Sequence, residues 1–204
     1  HDNNFTFLGY REYDLKGTGK QTKAALNKPA GLGVLRSAKV EVFDEIDASQ
    51  SLPMEVRAFA RNPSLLMVTK SNLRSSIHRP VHMDAISIKK YDDAGRVIGQ
   101  RIFIGLFTSG AYNKAPSEIP LLRRRVMMTM DRSGFEASSH DGKALMNILD
   151  TFPRDELFQI NDDQLFETAM GMLHLQERHR TALFIRRDEL DRYCSCLVFV
   201  PRDR

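Results

Sequence analysis

The sequence predicts an α+β protein, an antiparallel sheet-rich first half followed by a second half of helices and short strands. Three observations carry that expectation. Asp84–Tyr91 and Val97–Phe107 are two runs of β-forming residues joined by Asp92-Asp-Ala-Gly95, the pattern of a long antiparallel hairpin. Leu122, Val126 and Met130 recur every four residues, the spacing of one helix stripe. The glycine-rich fingerprint that a parallel nucleotide-binding sheet carries after its first strand is missing.

Taken in order, Phe5–Leu15 alternates and is rich in aromatics, as a strand should be, and the Gly17–Gly19 turn ends it. Gly17–Gly33 reads as a long polar loop broken at Pro29 and Gly31. Lys39–Asp47 fits either a strand or a short helix. Leu65–Thr69 has the composition of a buried strand, extended after a bend by Ser75–Arg79. In the hairpin, Ile86 and Ile88 point to one face and Ser87 and Lys89 to the other, while Ile102, Ile104 and Leu106 share one side of the returning strand. Gly95 suits the positive φ of its turn.

Thr108–Pro116 reads as loop. Ser117 is then a candidate N-cap, with Pro120 tolerated in the first turn and Gly134 closing the helix. Ile119 and Met127 flank its stripe, and Arg123, Arg124 and Arg125 fall largely on the opposite side. A second helix is expected over Asp141–Asp150. Phe158-Gln-Ile160 reads as a short strand. A third helix starts at Asn161, where Asp162 and Asp163 favour the positive end of the dipole, and turns Leu165, Phe166, Ala169, Met170 and Leu173 inward. Strands Thr181–Arg187 and Arg192–Val200 follow, joined by Asp188–Asp191. That order suggests part of a ferredoxin-like sandwich, with helices over one face of an antiparallel sheet.

The chain has 204 residues, 42% of them apolar and 27% charged, an ordinary globular mix. No stretch approaches the ~20 apolar residues of a membrane helix. The chain opens on His1 with no basic-then-apolar leader, and its charged end at Val198–Arg204 reads as a piece of something longer. Residues 1–110 hold 16 basic and 11 acidic residues, a balance of +5, against 14 and 15 in 111–204, a balance of −1. Lys16, Lys20, Lys23, Lys28, Arg36 and Lys39 follow one another with no acid between Asp14 and Glu41. That run could meet nucleic-acid phosphates, but no aromatic is interleaved to stack on bases, so a solvated loop is the expected reading.

Cys194 and Cys196 lie on one side of a strand, about 6.5–7 Å apart, an awkward reach for a relaxed disulfide. They fit a reducing cytoplasm and small core positions. Gly17–Thr22 fails as a phosphate loop: Gln21 stands where the residue after Gly-Lys must be Ser or Thr, and Asp14 where the first glycine belongs. His78 and His82 have a metal-pair spacing, yet Pro80 between them argues against a helix, and structural histidines are expected. His140, His174 and His179 have no nucleophile elbow nearby. The sequence therefore offers no catalytic, cofactor-binding or metal-ligating set, and points to a binding or regulatory module.

Several stretches taken together resemble one family. They are Phe5–Glu12, Arg61–Leu66, Ser76–Pro80, Phe103–Ser109, Ile119–Val126, Phe152-Pro-Arg-Asp-Glu-Leu-Phe-Gln159, Leu183–Asp188 and Ser195–Asp203. The resemblance is to the large bacterial NAD-specific glutamate dehydrogenases, in the N-terminal region preceding their catalytic core. It implies a PAS-like sheet module over residues 1–115, then a helical connection and an incomplete ACT-like module over 116–204. It further implies a cytoplasmic, homo-oligomeric parent enzyme that oxidises L-glutamate with NAD and water to 2-oxoglutarate and ammonia, under amino-acid control. NAD would belong to the parent, with no cofactor and no activity in this stretch alone. Arg154, Asp155, Arg186, Arg187 and Asp188 are the candidates for an effector rim or polar interface, weighed against ordinary surface ion pairs worth at most ~1 kcal/mol each. A nucleic-acid module using residues 16–39 and a purely structural scaffold are the alternatives.

Overall fold

Alternation and turn chemistry build the first half into a sheet. The computed structural model describes residues 4–16, 23–26, 31–37, 39–42, 64–176, 180–190 and 192–200. It divides into two compact units, His1–Thr108 and Ser109–Arg204. In the first, β1 (Phe5–Lys16), β2 (Lys23–Leu26), β3 (Leu32–Gly33), β4 (Leu66–Arg74), β5 (His82–Tyr91) and β6 (Val97–Phe107) form one sheet. Its order is β2-β1-β6-β5-β4, with β3 beside β1, and every pairing is antiparallel.

The β5–β6 hairpin stands as the sequence predicts. The Asp92 carboxylate accepts from the backbone N–H groups of Ala94 (3.1 Å) and Arg96 (2.8 Å), and Gly95 adopts φ +75°. Of its two faces, the one bearing Met83, Ala85, Ser87 and Lys89 is the fully buried one, while Ile86 and Ile88 are half-buried. The register explains this: Ser87 pairs with Ile102 and Ala85 with Ile104, so small β5 residues leave room for large β6 ones. Leu35 and Val42 are also buried. Beside them the Arg11 guanidinium donates to the backbone carbonyls of Val40 (2.7 Å) and Ser37 (2.8 Å). The strand expected at 65–69 begins at Leu66 and runs on to Arg74, leaving Leu65 exposed. Ser75–Arg79 does not extend it: the chain bends back there, and Ser75 N–H donates to the Val81 carbonyl at 2.9 Å. His78 lies in that bend with φ +61°, and His82 opens β5 with Nδ1 3.0 Å from the Ser71 carbonyl. The Gly17–Gly19 turn, Lys20, Lys28, residues 43–47 and Arg61–Pro63 lie outside the described residues. Arg36 and Lys39 are exposed.

The second unit contains α1 (Ser109–Asn113), a 3-10 turn at Pro116–Glu118, α2 (Pro120–Ser133), α3 (His140–Thr151), α4 (Arg154–Gln159) and α5 (Asp162–Gln176). A hairpin of β7 (Ala182–Arg187) and β8 (Cys194–Phe199) completes it. The α+β class holds, with three local corrections. Part of the loop expected at 108–116 is helical. Ser117 lies in the 3-10 turn, and α2 starts instead after extended Ile119 with Pro120 in its first position. Phe158-Gln-Ile160 is no strand: Phe158 and Gln159 close α4, whose helical period is hidden because Glu156, Leu157 and Phe158 are buried in succession.

Elsewhere the pattern is faithful. Leu122 and Val126 are buried, and Gly134 ends α2 at φ +70°. Ser139 caps α3 by accepting from Gly142 N–H at 3.0 Å, and Asn161 accepts from Gln164 N–H at 2.9 Å at the head of α5. Leu165, Ala169 and Leu173 face inward. Arg125 departs from its expected solvent side, falling three residues after Leu122 and four before the buried Thr129.

Candidate functional site

The second unit gathers its charges where α4 meets the β7–β8 hairpin. Glu156 lies on the short helix α4 next to Leu157 and Phe158, and all three are buried. Arg186 lies on the inward face of β7 together with Ala182 and Phe184. The two meet as a bidentate pair: Arg186 Nε donates to Glu156 Oε1 and Nη2 to Oε2 at 3.1 Å, and each residue is only 7% exposed. Nη1 donates to the Arg187 carbonyl at 3.2 Å. Burial pulls the Arg186 guanidinium down, but the bond to Glu156 and its charge outweigh that, so its pKa is raised.

The remaining candidates lie around this pair. The buried carboxylate of Asp188 receives Leu190 N–H at 3.3 Å and Arg192 Nε at 3.2 Å, which holds the turn between β7 and β8. Asp155 accepts from the Tyr112 hydroxyl at 2.8 Å, and Arg154 Nη2 donates to the Lys114 carbonyl at 3.1 Å, so the two tie α4 to α1 and to the residue that follows it. Arg154 Nε and Nη1 are buried without a hydrogen-bond partner among the described residues, and desolvation lowers that guanidinium's pKa. Arg187 is exposed on the outward face of the hairpin.

Two residues that sequence reasoning passed over complete the cluster. One is Glu156 itself. The other is Arg125, whose Nη1 donates to the Leu157 carbonyl at 2.5 Å and whose Nε lies 3.6 Å from Asp162. Burial brings the Arg125 pKa down to about 10, against the pull of Asp162. For Arg125 the helical spacing from Leu122 and Thr129 is the signal that could have found it. Tyr193 adds a hydroxyl that donates to the Gln159 side chain.

Beneath the hairpin, Glu156, Thr168, Phe184, Arg186, Ser195 and Leu197 border a cavity of about 20 Å³, room for one water molecule and too little for an amino acid. A larger hollow of about 290 Å³ lies at the start of α3, by His140, Asp141 and His174, and none of the five candidates lines it. The cluster is thus a polar joint whose chemistry is hydrogen bonding. Among the described residues, no three His, Cys, Asp or Glu side chains gather closely enough to hold a metal ion, and no helix is long and apolar enough to cross a membrane. Cys194 and Cys196 are exposed on the outward face of β8, which corrects their assignment to the core.

The fold is α+β: an antiparallel sheet in the first unit and, in the second, a helical stretch and a hairpin joined by a buried ion pair. Comparison with known proteins identifies its relatives. Residues 119–178 match the family model described as glutamate dehydrogenase, helical motif 1, and residues 182–204 the one described as glutamate dehydrogenase, ACT2 domain. The chain is 44% identical to an NAD-specific glutamate dehydrogenase of Halomonas elongata over 98% of its own length and 12% of the relative's. Against the Pseudomonas aeruginosa protein of that name it is 39% identical, over 99% of this chain and 12% of the relative. Against the Mycobacterium tuberculosis one it is 30% identical, over 100% and 11%. The chain is thus similar, along nearly its whole length, to one region of NAD-specific glutamate dehydrogenases, and it spans about 12% of the length of the first two relatives.

Proposed function

We propose that this chain is the non-catalytic N-terminal regulatory and oligomerisation segment of an NAD-specific glutamate dehydrogenase. Its parent oxidises L-glutamate with NAD and water to 2-oxoglutarate, ammonia and NADH, as a homo-oligomer in the cytoplasm whose activity responds to an amino acid. Residues 1–115 are the PAS-like module, and 116–204 hold a helical connection followed by an incomplete ACT-like module, in keeping with the match of 119–178 to helical motif 1 and of 182–204 to the ACT2 domain. The observation that carries this reading is similarity along 98–100% of the chain to relatives of that name, of which the chain is only 11–12%.

The site supports the same reading. Arg186 spends its charge on Glu156, which fixes α4 to the hairpin, while Asp188 holds the hairpin turn through Arg192 and Asp155 holds α4 to Tyr112. A joint of this kind transmits position, which is what a regulatory segment needs. Nothing in the described geometry favours the nucleic-acid alternative.

The test has two arms. The isolated chain, given L-glutamate and NAD, should produce no NADH absorbance; a sustained rise that scales with protein concentration refutes the non-catalytic assignment. The full-length parent with Glu156→Gln should keep its KM for L-glutamate while its response to amino-acid effectors changes. A response identical to that of the unaltered parent removes the regulatory role of the joint.

A further inference from the structure

In the first unit, alternation puts Arg11 and Tyr13 of β1, Gln100 and Ile102 of β6, and Ser87 and Lys89 of β5 on one buried face of the sheet. The register sets them in two rows across the three strands, Arg11–Ile102–Ser87 and Tyr13–Gln100–Lys89. Gln100 is thus the diagonal neighbour of both Arg11 and Ser87, within reach of long side chains. Arg11 is 3% exposed, Gln100 2% and Ser87 0%. Yet Arg11 Nε, Gln100 Nε2 and Ser87 Oγ have no hydrogen-bond partner among the described residues. Native proteins pair nearly all such buried atoms, because a donor stripped of water and left unmet is costly. Three of them in one patch point to a ligand.

The chemistry of the patch selects that ligand. Arg11 Nε and Gln100 Nε2 can only donate, and Ser87 Oγ can donate as well. Lys89, directly opposite Gln100, adds a second cation. The carboxylates on these strands, Glu12, Asp14 and Asp84, alternate onto the other face, where Lys90 and Lys70 hold them. The patch therefore suits an anion, and these strands offer it no acid to receive an ammonium group. Both Nη atoms of Arg11 already donate to the Val40 and Ser37 carbonyls, so its fork is closed and Nε alone is left to give. One donor from Arg11 and one from Gln100 match the two oxygens of a carboxylate, whereas a phosphate dianion calls for the open fork. Ser87 supplies a third donor for a third oxygen. We propose that this face binds a small 2-oxo acid, its carboxylate held by Arg11 and Gln100 and its keto oxygen by Ser87. The inference uses residues of the first unit alone and does not depend on the regulatory reading.

The experiment titrates the full-length parent with 2-oxoglutarate and, separately, with L-glutamate, which carries an ammonium group in place of the keto oxygen. Hydrogen exchange of the peptides covering β5 and β6, read by mass spectrometry, reports on this patch and not on a ligand bound elsewhere in the parent. At ten times the half-saturating concentration of 2-oxoglutarate, those amides should exchange about tenfold more slowly. L-Glutamate should leave them unchanged. Gln100→Leu should abolish the slowing, and Ser87→Ala should raise the half-saturating concentration about fivefold, the worth of one hydrogen bond. Exchange of the β1 and β4 peptides without ligand checks that each variant keeps its sheet. Where Gln100→Leu disturbs that sheet, Ser87→Ala decides, and an unchanged half-saturating concentration then overturns the proposal. Exchange that 2-oxoglutarate does not slow at any soluble concentration also overturns it, the three atoms being met by water alone. So does equal slowing by L-glutamate, or slowing that survives Gln100→Leu in an intact sheet. Activity and effector response are not read, so the regulatory reading can fail while this one stands, and the reverse.

Discussion

Arg186 on β7 grips both carboxylate oxygens of Glu156 on α4, thirty residues earlier in the chain, with each residue 7% exposed. The pair ties a side chain of α4 to one of β7. A buried pair of this kind is costly to break and cheap to replace as a whole, since removing one partner strands the other charge without water. Glu156→Ala should destabilise the chain by about 3–5 kcal/mol in urea unfolding, whereas Glu156→Leu with Arg186→Met should lose less than either single change. A double variant as unstable as the worse single one would show that the pair itself, and not the stranded charge, carries the stability.

Arg125 makes a second prediction. It supplies a donor to the Leu157 carbonyl at 2.5 Å, and that carbonyl has α4 packed around it. Arg125→Met keeps the apolar stem and removes the donor, so the expected loss is the cost of an unmet buried acceptor, about 1–3 kcal/mol. Arg124→Met, one residue away and exposed, should change stability by no more than about 0.5 kcal/mol. Equal effects of the two in thermal unfolding would contradict the assignment.

How much of this was legible depends on whether the cause was local. The β5–β6 turn was, because Asp92 and Gly95 act within four residues of one another. The α2 stripe was, because Leu122 and Val126 share one helix face. Helix α4 was not: burial of Glu156, Leu157 and Phe158 in succession erases the periodicity that separates a short helix from a strand. The hairpin misleads more deeply. Its inward face holds Arg186 and Ser195 beside Phe184, Leu197 and Phe199, and its outward face holds Leu183, Ile185 and the cysteines, so both faces carry apolar residues and alternation does not tell them apart. What holds Arg186 inward is Glu156, a partner thirty residues away that no local pattern announces. Four of the five site residues do fall around this joint, but the resemblance proposed them, and the carboxylate at its centre went unnamed.

In the first unit, the Glu12 carboxylate accepts from Lys90 and, at 2.6 Å, from the Tyr10 hydroxyl. The bond from Lys90 first, then that from Tyr10, lowers its pKa below the ordinary value of 4.5. A carboxyl whose folded pKa is depressed contributes stability that is fully present above its unfolded pKa and is lost as pH falls through the folded one. Glu12→Gln should therefore narrow the stability gap between pH 7 and pH 3 relative to the unaltered chain. Parallel urea midpoints across that range would sink the assignment.

The contact of Gly171 on α5 with Phe184 of the hairpin gives the last prediction. A Cβ built on Gly171 would lie 2.8 Å from Cε1 of the Phe184 ring, nearer than two carbons tolerate. Gly171→Ala normally gains helix propensity, roughly 0.8–1.0 kcal/mol in an interior position. Here overpacking opposes that gain and costs about 1–3 kcal/mol, because Phe184 must leave its place beside the helix. The net change should be destabilising or neutral, and it should turn favourable when Phe184→Leu removes the ring atoms in contact. The check is a double-mutant cycle in chemical unfolding, in which coupling should be at least about 0.5 kcal/mol in favour of the combined variant. Strict additivity would mean that the hairpin does not sit on α5 at this point, and that the Arg186–Glu156 pair alone fixes its position.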